Sequence, residues 1–159
     1  AKADAEKELI AAKNAFAEKA DAAEKAAIDQ TKLAKAYNKE TDALSAIDWY
    51  NKGYNAAENK EYDKAISYYL RAIELNPADA DAYFILGVAY DDQGNTAKAI
   101  RMHEKAIELD PENAAAYWSR SIAKDALGDK SGGLQDTKKA ARLGYQPAQD
   151  WLTKNGHDW

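Results

Sequence analysis

Apolar positions along this chain follow two different rhythms. From Ala46 onward, three aromatic doublets, Trp49-Tyr50, Tyr83-Phe84 and Tyr117-Trp118, stand 34 residues apart. Neighbouring residues on a helix point about 100° apart, so each doublet predicts a helix with two apolar faces. A second stripe follows each doublet: Ile66, Ile73 and Leu75, then Ile100, Ile107 and Leu109. Its spacing predicts a second amphipathic helix. Small residues keep the same period. Gly53 falls over Gly87 with Ser121 third, Ala65 over Ala99 with Gly133 third, and Ala72, Ala106 and Ala140 match throughout. Pro77 and Pro111 end the second helix of the first two units, and Tyr145 stands in the third. The small residues are expected where the two helices of a hairpin approach closely. The segment QPAQDWLTKNG reads as a further short helix, with proline near its start and glycine past its end.

Residues 1–45 have another rhythm. Strong helix formers dominate, alanine above all, and no glycine or proline occurs before Gly53. A wide-spaced set (Ala5, Leu9, Ala12, Phe16, Ala23, Ala26, Leu33, Tyr37, Leu44) follows a heptad-like path that Lys19, Gln30 and Glu40 interrupt. This predicts a long, Ala-rich, coiled-coil-like helix with a thin seam. At the junction Ser45 with Asp48 resembles a capping box, while an unbroken helix into the first doublet fits the sequence equally well.

A 34-residue period carrying these glycines, alanines and prolines resembles the tetratricopeptide repeat (TPR) family over residues 46–145. The resemblance implies an all-α, right-handed α-solenoid of helix hairpins preceded by the Ala-rich helix. The expected organisation is an extension over 1–45 and a repeat domain over 46–159. Within that domain the repeats cover about 46–79, 80–113 and 114–146, and a capping helix covers 147–156. The third copy is degenerate, lacking the glycine and the closing proline.

The resemblance also divides the doublets. Trp49, Tyr83 and Tyr117 match packing positions, whereas Tyr50, Phe84 and Trp118, with Tyr54, Val88 and Ile122 one turn on, match the concave groove. Glu58, Asp91, Asp92 and Asp125, near the ends of the same helices, form an expected acidic rim. The family's carboxylate clamp of Lys, Asn and Arg is not reproduced: Tyr50, Tyr54, Ile85, Ala115 and Ser119 stand in those places.

Composition narrows the chemistry. A formal charge of −5 gives no footprint for nucleic acid, and no apolar run is long enough to span a bilayer. Without cysteine there are no disulfides and no thiolate chemistry. The chain opens at Ala1 without methionine, so a processed, soluble form is expected, with any targeting segment removed and no compartment indicated. Of the two histidines, His103 occupies a packing position and His157 lies in a polar tail without further metal ligands. GDKSGGLQD lacks the ending of a phosphate loop, and YDDQGNTAKA lacks calcium-loop spacing. No enzyme, metal or cofactor is expected. The expected function is a protein-interaction scaffold binding an amphipathic peptide or helix in an aromatic groove. The alternative is an oligomerisation protein whose N-terminal helix self-associates or fills a neighbour's groove.

Overall fold

The computed structural model describes residues 44–159, and the expected N-terminal helix lies outside the described residues. Seven helices follow among them: α1 (Ala46–Glu58), α2 (Tyr62–Leu75), α3 (Ala80–Asp92), α4 (Thr96–Leu109), α5 (Ala114–Ala126), α6 (Lys130–Arg142) and α7 (Gln146–Lys154). Each packs on its sequence neighbour, and α3 also touches α5. Short turns between packed helices give three hairpins in a right-handed solenoid, closed by α7.

At the junction the capping box prevails over a continuous helix. Ser45 is extended, its side chain accepts from the Asp48 amide, and Asp48 accepts from the Ser45 amide at 2.9 Å. Asp79 and Asn113 cap α3 and α5 by accepting from the Ala82 and Ala116 amides, without the reciprocal bond.

The turn inside each hairpin closes by one mechanism. Gly94 and Gly128 have positive φ, and the next residue's amide donates back to the carbonyls of Tyr90 and Lys124. The left-handed residue lets the chain satisfy two orphan carbonyls while reversing. The first hairpin makes the same bonds with Lys60 at φ 60, where a Cβ crowds the backbone.

Within a hairpin, the helices meet where a glycine faces a ring. A Cβ on Gly53 would lie 2.5 Å from the Tyr69 ring, and one on Gly87 would lie 2.5 Å from His103. Tyr69 and His103 are equivalent positions, and both are buried. Their third counterpart is Thr137, and Ser121 stands in the place of the glycine. There the small residue has moved to the second helix: a Cβ on Gly133 would press on the Ser121 carbonyl oxygen at 3.0 Å. Ring and glycine are absent together: without a ring at 137, a side chain at 121 meets no ring that would exclude its Cβ.

α3, between two hairpins, is apolar nearly all round: Ala82, Leu86, Gly87 and Ala89 are buried and Tyr83, Phe84, Ile85 and Val88 half-buried. One apolar cluster joins α1, α2 and α3 through Ile66, Tyr69 and Leu86. A second joins α6 and α7 through Ala140, Ala148 and Leu152. A polar layer lies in the third hairpin. Asp136 accepts from Arg120 at 2.6 and 2.8 Å and from Lys124 at 2.8 Å, with its carboxylate only 8% exposed. Arg120 and Asp136 occupy the places that Leu86 and Met102 hold one repeat earlier. The expected stripe on the second helices is uneven, since Ile66 and Ile73 are buried but Leu75 is exposed at the end of α2.

Two outcomes are expected in thermal and denaturant melts. Gly87→Ser and His103→Thr should each destabilise, by roughly 1–3 and 2–4 kcal/mol, from overpacking and from a cavity. The double variant, which copies the third hairpin, should recover at least ~1 kcal/mol of the summed loss. Strict additivity would refute the link between ring and glycine. Lys60→Gly should stabilise by about 0.5–1 kcal/mol, because a left-handed side-chain residue is strained by more than glycine's extra unfolded-state entropy.

Candidate functional site

The face built from α1, α3 and α5 carries the second members of the doublets. Each is half-buried, with its ring propped on another helix or its cap. Tyr50 leans on Tyr69 at 5.7 Å between centroids, Phe84 on His103 at 5.8 Å and Trp118 on Tyr145 at 6.1 Å. The first members differ from one another. Trp49 is buried, whereas Tyr83 and Tyr117 are half-buried. Arg120 and Lys139 cover Tyr117 at 5.5 and 5.8 Å. One turn along, Tyr54 and Ile122 stand 51% and 54% exposed, with Val88 half-buried between them in sequence order.

The acidic residues have unequal surroundings. Glu58 and Asp92 are exposed, and Asp125 pairs with Lys130 at 3.1 Å. Asp91 turns inward, its carboxylate 3.4 Å from His103 Nε2. Burial, and then the neighbouring Asp92 charge, pushes Asp91 up to about 6. Burial, and then the Arg120 guanidinium, holds His103 down to about 4. His103 is therefore neutral at pH 7. Its Nδ1 has no partner, which assigns the proton to Nε2, donating to Asp91. Burial pushes Tyr69 up to about 12, so both hairpin-filling rings stay uncharged.

Two expected groove residues, Trp118 and Ile122, and the expected rim residue Asp125 come together in a cleft of about 340 Å³. The buried Ser121 and Thr137 line it, together with Leu134 and Lys130 of α6 and with Trp151 and His157 from α7 and the turn after it. Tyr50, Tyr54, Glu58, Phe84, Val88, Asp91 and Asp92 lie outside this cleft, in the first two hairpins. His157 reaches its place through the turn after α7. Gly156 at φ 71 lets the His157 amide donate to Leu152, and the ring stacks on Trp151 at 5.9 Å. Thr137, Leu134 and Trp151 were not singled out from the sequence, and His157 was read there only as part of a polar tail. The signal was available, since Thr137 stands where the two preceding repeats carry rings. Among the described residues no cluster of His, Cys, Asp or Glu could hold a metal, and no helix is long and apolar enough to cross a membrane.

The sequence profile of the tetratricopeptide repeat family matches residues 50–114 and 89–144, the span that builds these hairpins. The chain belongs to the tetratricopeptide repeat family. Among solved TPR structures, MamA is 35% identical with a TM-score of 0.62, covering 66% of this chain and 61% of that one. This TPR chain thus spans about three fifths of the MamA chain. The TPR domain of Arabidopsis OM64 is 27% identical, with a TM-score of 0.64, covering 70% of this chain and 96% of that one. The first TPR of Spaghetti (RPAP3), solved with the HSP90 peptide SRMEEVD, shares the fold at 23% identity and a TM-score of 0.66, covering 69% and 89%. Comparison with curated protein sequences gave no match.

The pH response of this TPR domain follows from two opposed titrations. His103 binds its proton more readily unfolded, near 6.5, than folded, near 4, so its contribution is lost as pH falls through that window. Asp91 has its folded value raised, so protonation on the same descent favours the fold below about 6. Asp91→Asn removes that compensation and the negative charge facing a protonated His103. Thermal melts of Asp91→Asn should lose more stability between about pH 6.5 and pH 5 than the native chain does. An unchanged pH slope would show that the pair does not couple to folding.

Proposed function

We propose that this chain is a non-enzymatic protein-interaction scaffold that binds an amphipathic, basic segment across the face of α1, α3 and α5. One observation carries the reading: that face keeps its acids and engages its cations elsewhere. The three helices contain only Lys52, Arg120 and Lys124 as basic residues. Lys52 lies over the Trp49 ring at 5.2 Å, and the other two hold the buried Asp136. Glu58, Asp92 and Asp125 remain exposed beside Tyr54 and Ile122. Exposed apolar side chains rimmed by charge of one sign favour a partner of complementary pattern.

The partner contributes an apolar stripe over Tyr50, Tyr54, Phe84, Val88, Trp118 and Ile122, and cations opposite Glu58, Asp91, Asp92 and Asp125. Family membership supports peptide or protein binding in general. The Spaghetti (RPAP3) structures with the HSP90 peptide show that the same fold accommodates a short segment. That peptide ends in acidic residues and a carboxylate, whereas this face lacks a Lys, Asn and Arg clamp and is acidic. A basic segment fits it better.

Tyr54→Ala and Ile122→Ala should each shift folding stability by no more than ~0.5 kcal/mol, as exposed positions do. Calorimetric titration with a basic amphipathic peptide should show weaker binding to both variants. It should also show affinity falling with added salt, because exposed charges are screened beyond about 10 Å at 0.1 M. An acidic peptide of the same apolar pattern binding equally well would overturn the proposal.

A further inference from the structure

The three hairpins form an internal series in which one member is incomplete. In the first, Tyr69 lies over Gly53 and beneath Tyr50; in the second, His103 lies over Gly87 and beneath Phe84. Each ring fills the space between the two helices and props the groove aromatic. In the third, the equivalent residue is Thr137, and no ring of the hairpin itself occupies that level. Trp118, deprived of its prop, leans instead on Tyr145 from the start of α7. The cleft of about 340 Å³ opens there, with Ser121, Gly133 and Thr137 at its base and the Trp118 and Trp151 rings among its walls.

We infer that this cleft is a vacant ring socket, filled in trans by an aromatic side chain of the bound segment, with a lysine or arginine of that segment reaching Asp125. The inference deepens the peptide-binding reading above and rests on it. A ring of phenylalanine size suits the apolar lining, since large flat side chains gain most from burial and from offset contact with other rings. The charge requirement comes from Asp125 at the mouth. Its ion pair with Lys130, at 3.1 Å, joins side chains 52% and 77% exposed. Such a pair is weak and exchangeable. An incoming cation replaces Lys130 on Asp125, whereas an incoming carboxylate meets Asp125 as a like charge.

The test uses a short synthetic Ala/Lys peptide carrying one phenylalanine, with two controls: phenylalanine replaced by alanine, and lysines replaced by glutamates. Calorimetry reports binding anywhere on the chain, and the indole N–H NMR signals of Trp49, Trp118, Trp151 and Trp159 report where it occurs. The Phe/Lys peptide should move the Trp118 and Trp151 signals and leave Trp49 unmoved. Loss of its ring should weaken binding at least about tenfold, the scale of burying one large apolar group. Lys130→Ala should strengthen binding about two- to fivefold and Asp125→Asn weaken it, the range of an exposed ion pair. The double variant Ser121→Gly with Thr137→His rebuilds the second hairpin's filling and should abolish the Trp118 and Trp151 response. Lys130→Ala and Asp125→Asn, both at the surface, keep the test decisive should that double variant fail to fold. Binding that leaves Trp118 and Trp151 unmoved overturns the socket but not the scaffold reading. Binding of no peptide overturns both. Trp118 and Trp151 signals that shift on dilution without peptide assign the cleft to a second copy of the chain and overturn the inference.

Discussion

The contact on which the rest depends is the meeting of a glycine on one helix with a ring on the next. Gly53 against Tyr69 and Gly87 against His103 leave no room for a Cβ, so the ring of one helix rests on the backbone of the other. That approach sets how the helices of a hairpin pack. It also fixes the height at which Tyr50 and Phe84 ride on the supporting rings, and thereby how much aromatic surface the first helices present. A groove whose rings are propped from below is held in place before any partner arrives, which reduces the ordering a partner must impose.

The third hairpin departs from this scheme in a concerted way. Ring, glycine and apolar contact are replaced by Thr137, Ser121 with Gly133, and the Arg120–Asp136–Lys124 cluster. A buried, fully partnered carboxylate adds little net stability over an apolar contact of similar size, but removal of one partner strands a charge. The cluster therefore acts as a constraint on geometry. It holds both cations of α5 against α6, and by doing so leaves the carboxylates of the neighbouring face without nearby basic partners from the same helices. The charge of the face is thus a consequence of how the third hairpin is packed.

His103 links the two layers. It is the filling ring of the second hairpin, its Nε2 reaches Asp91 on α3, and the Arg120 charge of the third hairpin helps to keep it neutral. The tyrosine at this place in the first hairpin is a larger ring that stays uncharged across the pH range in which His103 gains a proton on unfolding. Packing, an acidic residue near the groove and the polar layer consequently meet at one imidazole.

The repeat sequence determined the period, the helix pairs and the small residues at the crossings, because each is a local rule: helical spacing or lack of a Cβ. At the Ser45–Asp48 junction it allowed both a cap and an unbroken helix, and the structure chose the cap. The sequence also placed the three doublets and the residues that follow them one turn along. Tertiary structure alone decided how deeply each ring sits. Trp49 is buried and its counterparts Tyr83 and Tyr117 are not, since burial depends on the hairpin stacked alongside and on what stands opposite in the next helix. The cleft is a stronger case. It requires Trp118, Thr137, Trp151 and His157, from three helices and the final turn, to converge around a space left by an absent ring. A missing side chain is written in the sequence as an ordinary threonine. Only packing shows whether neighbouring groups collapse into the volume it leaves or hold it open.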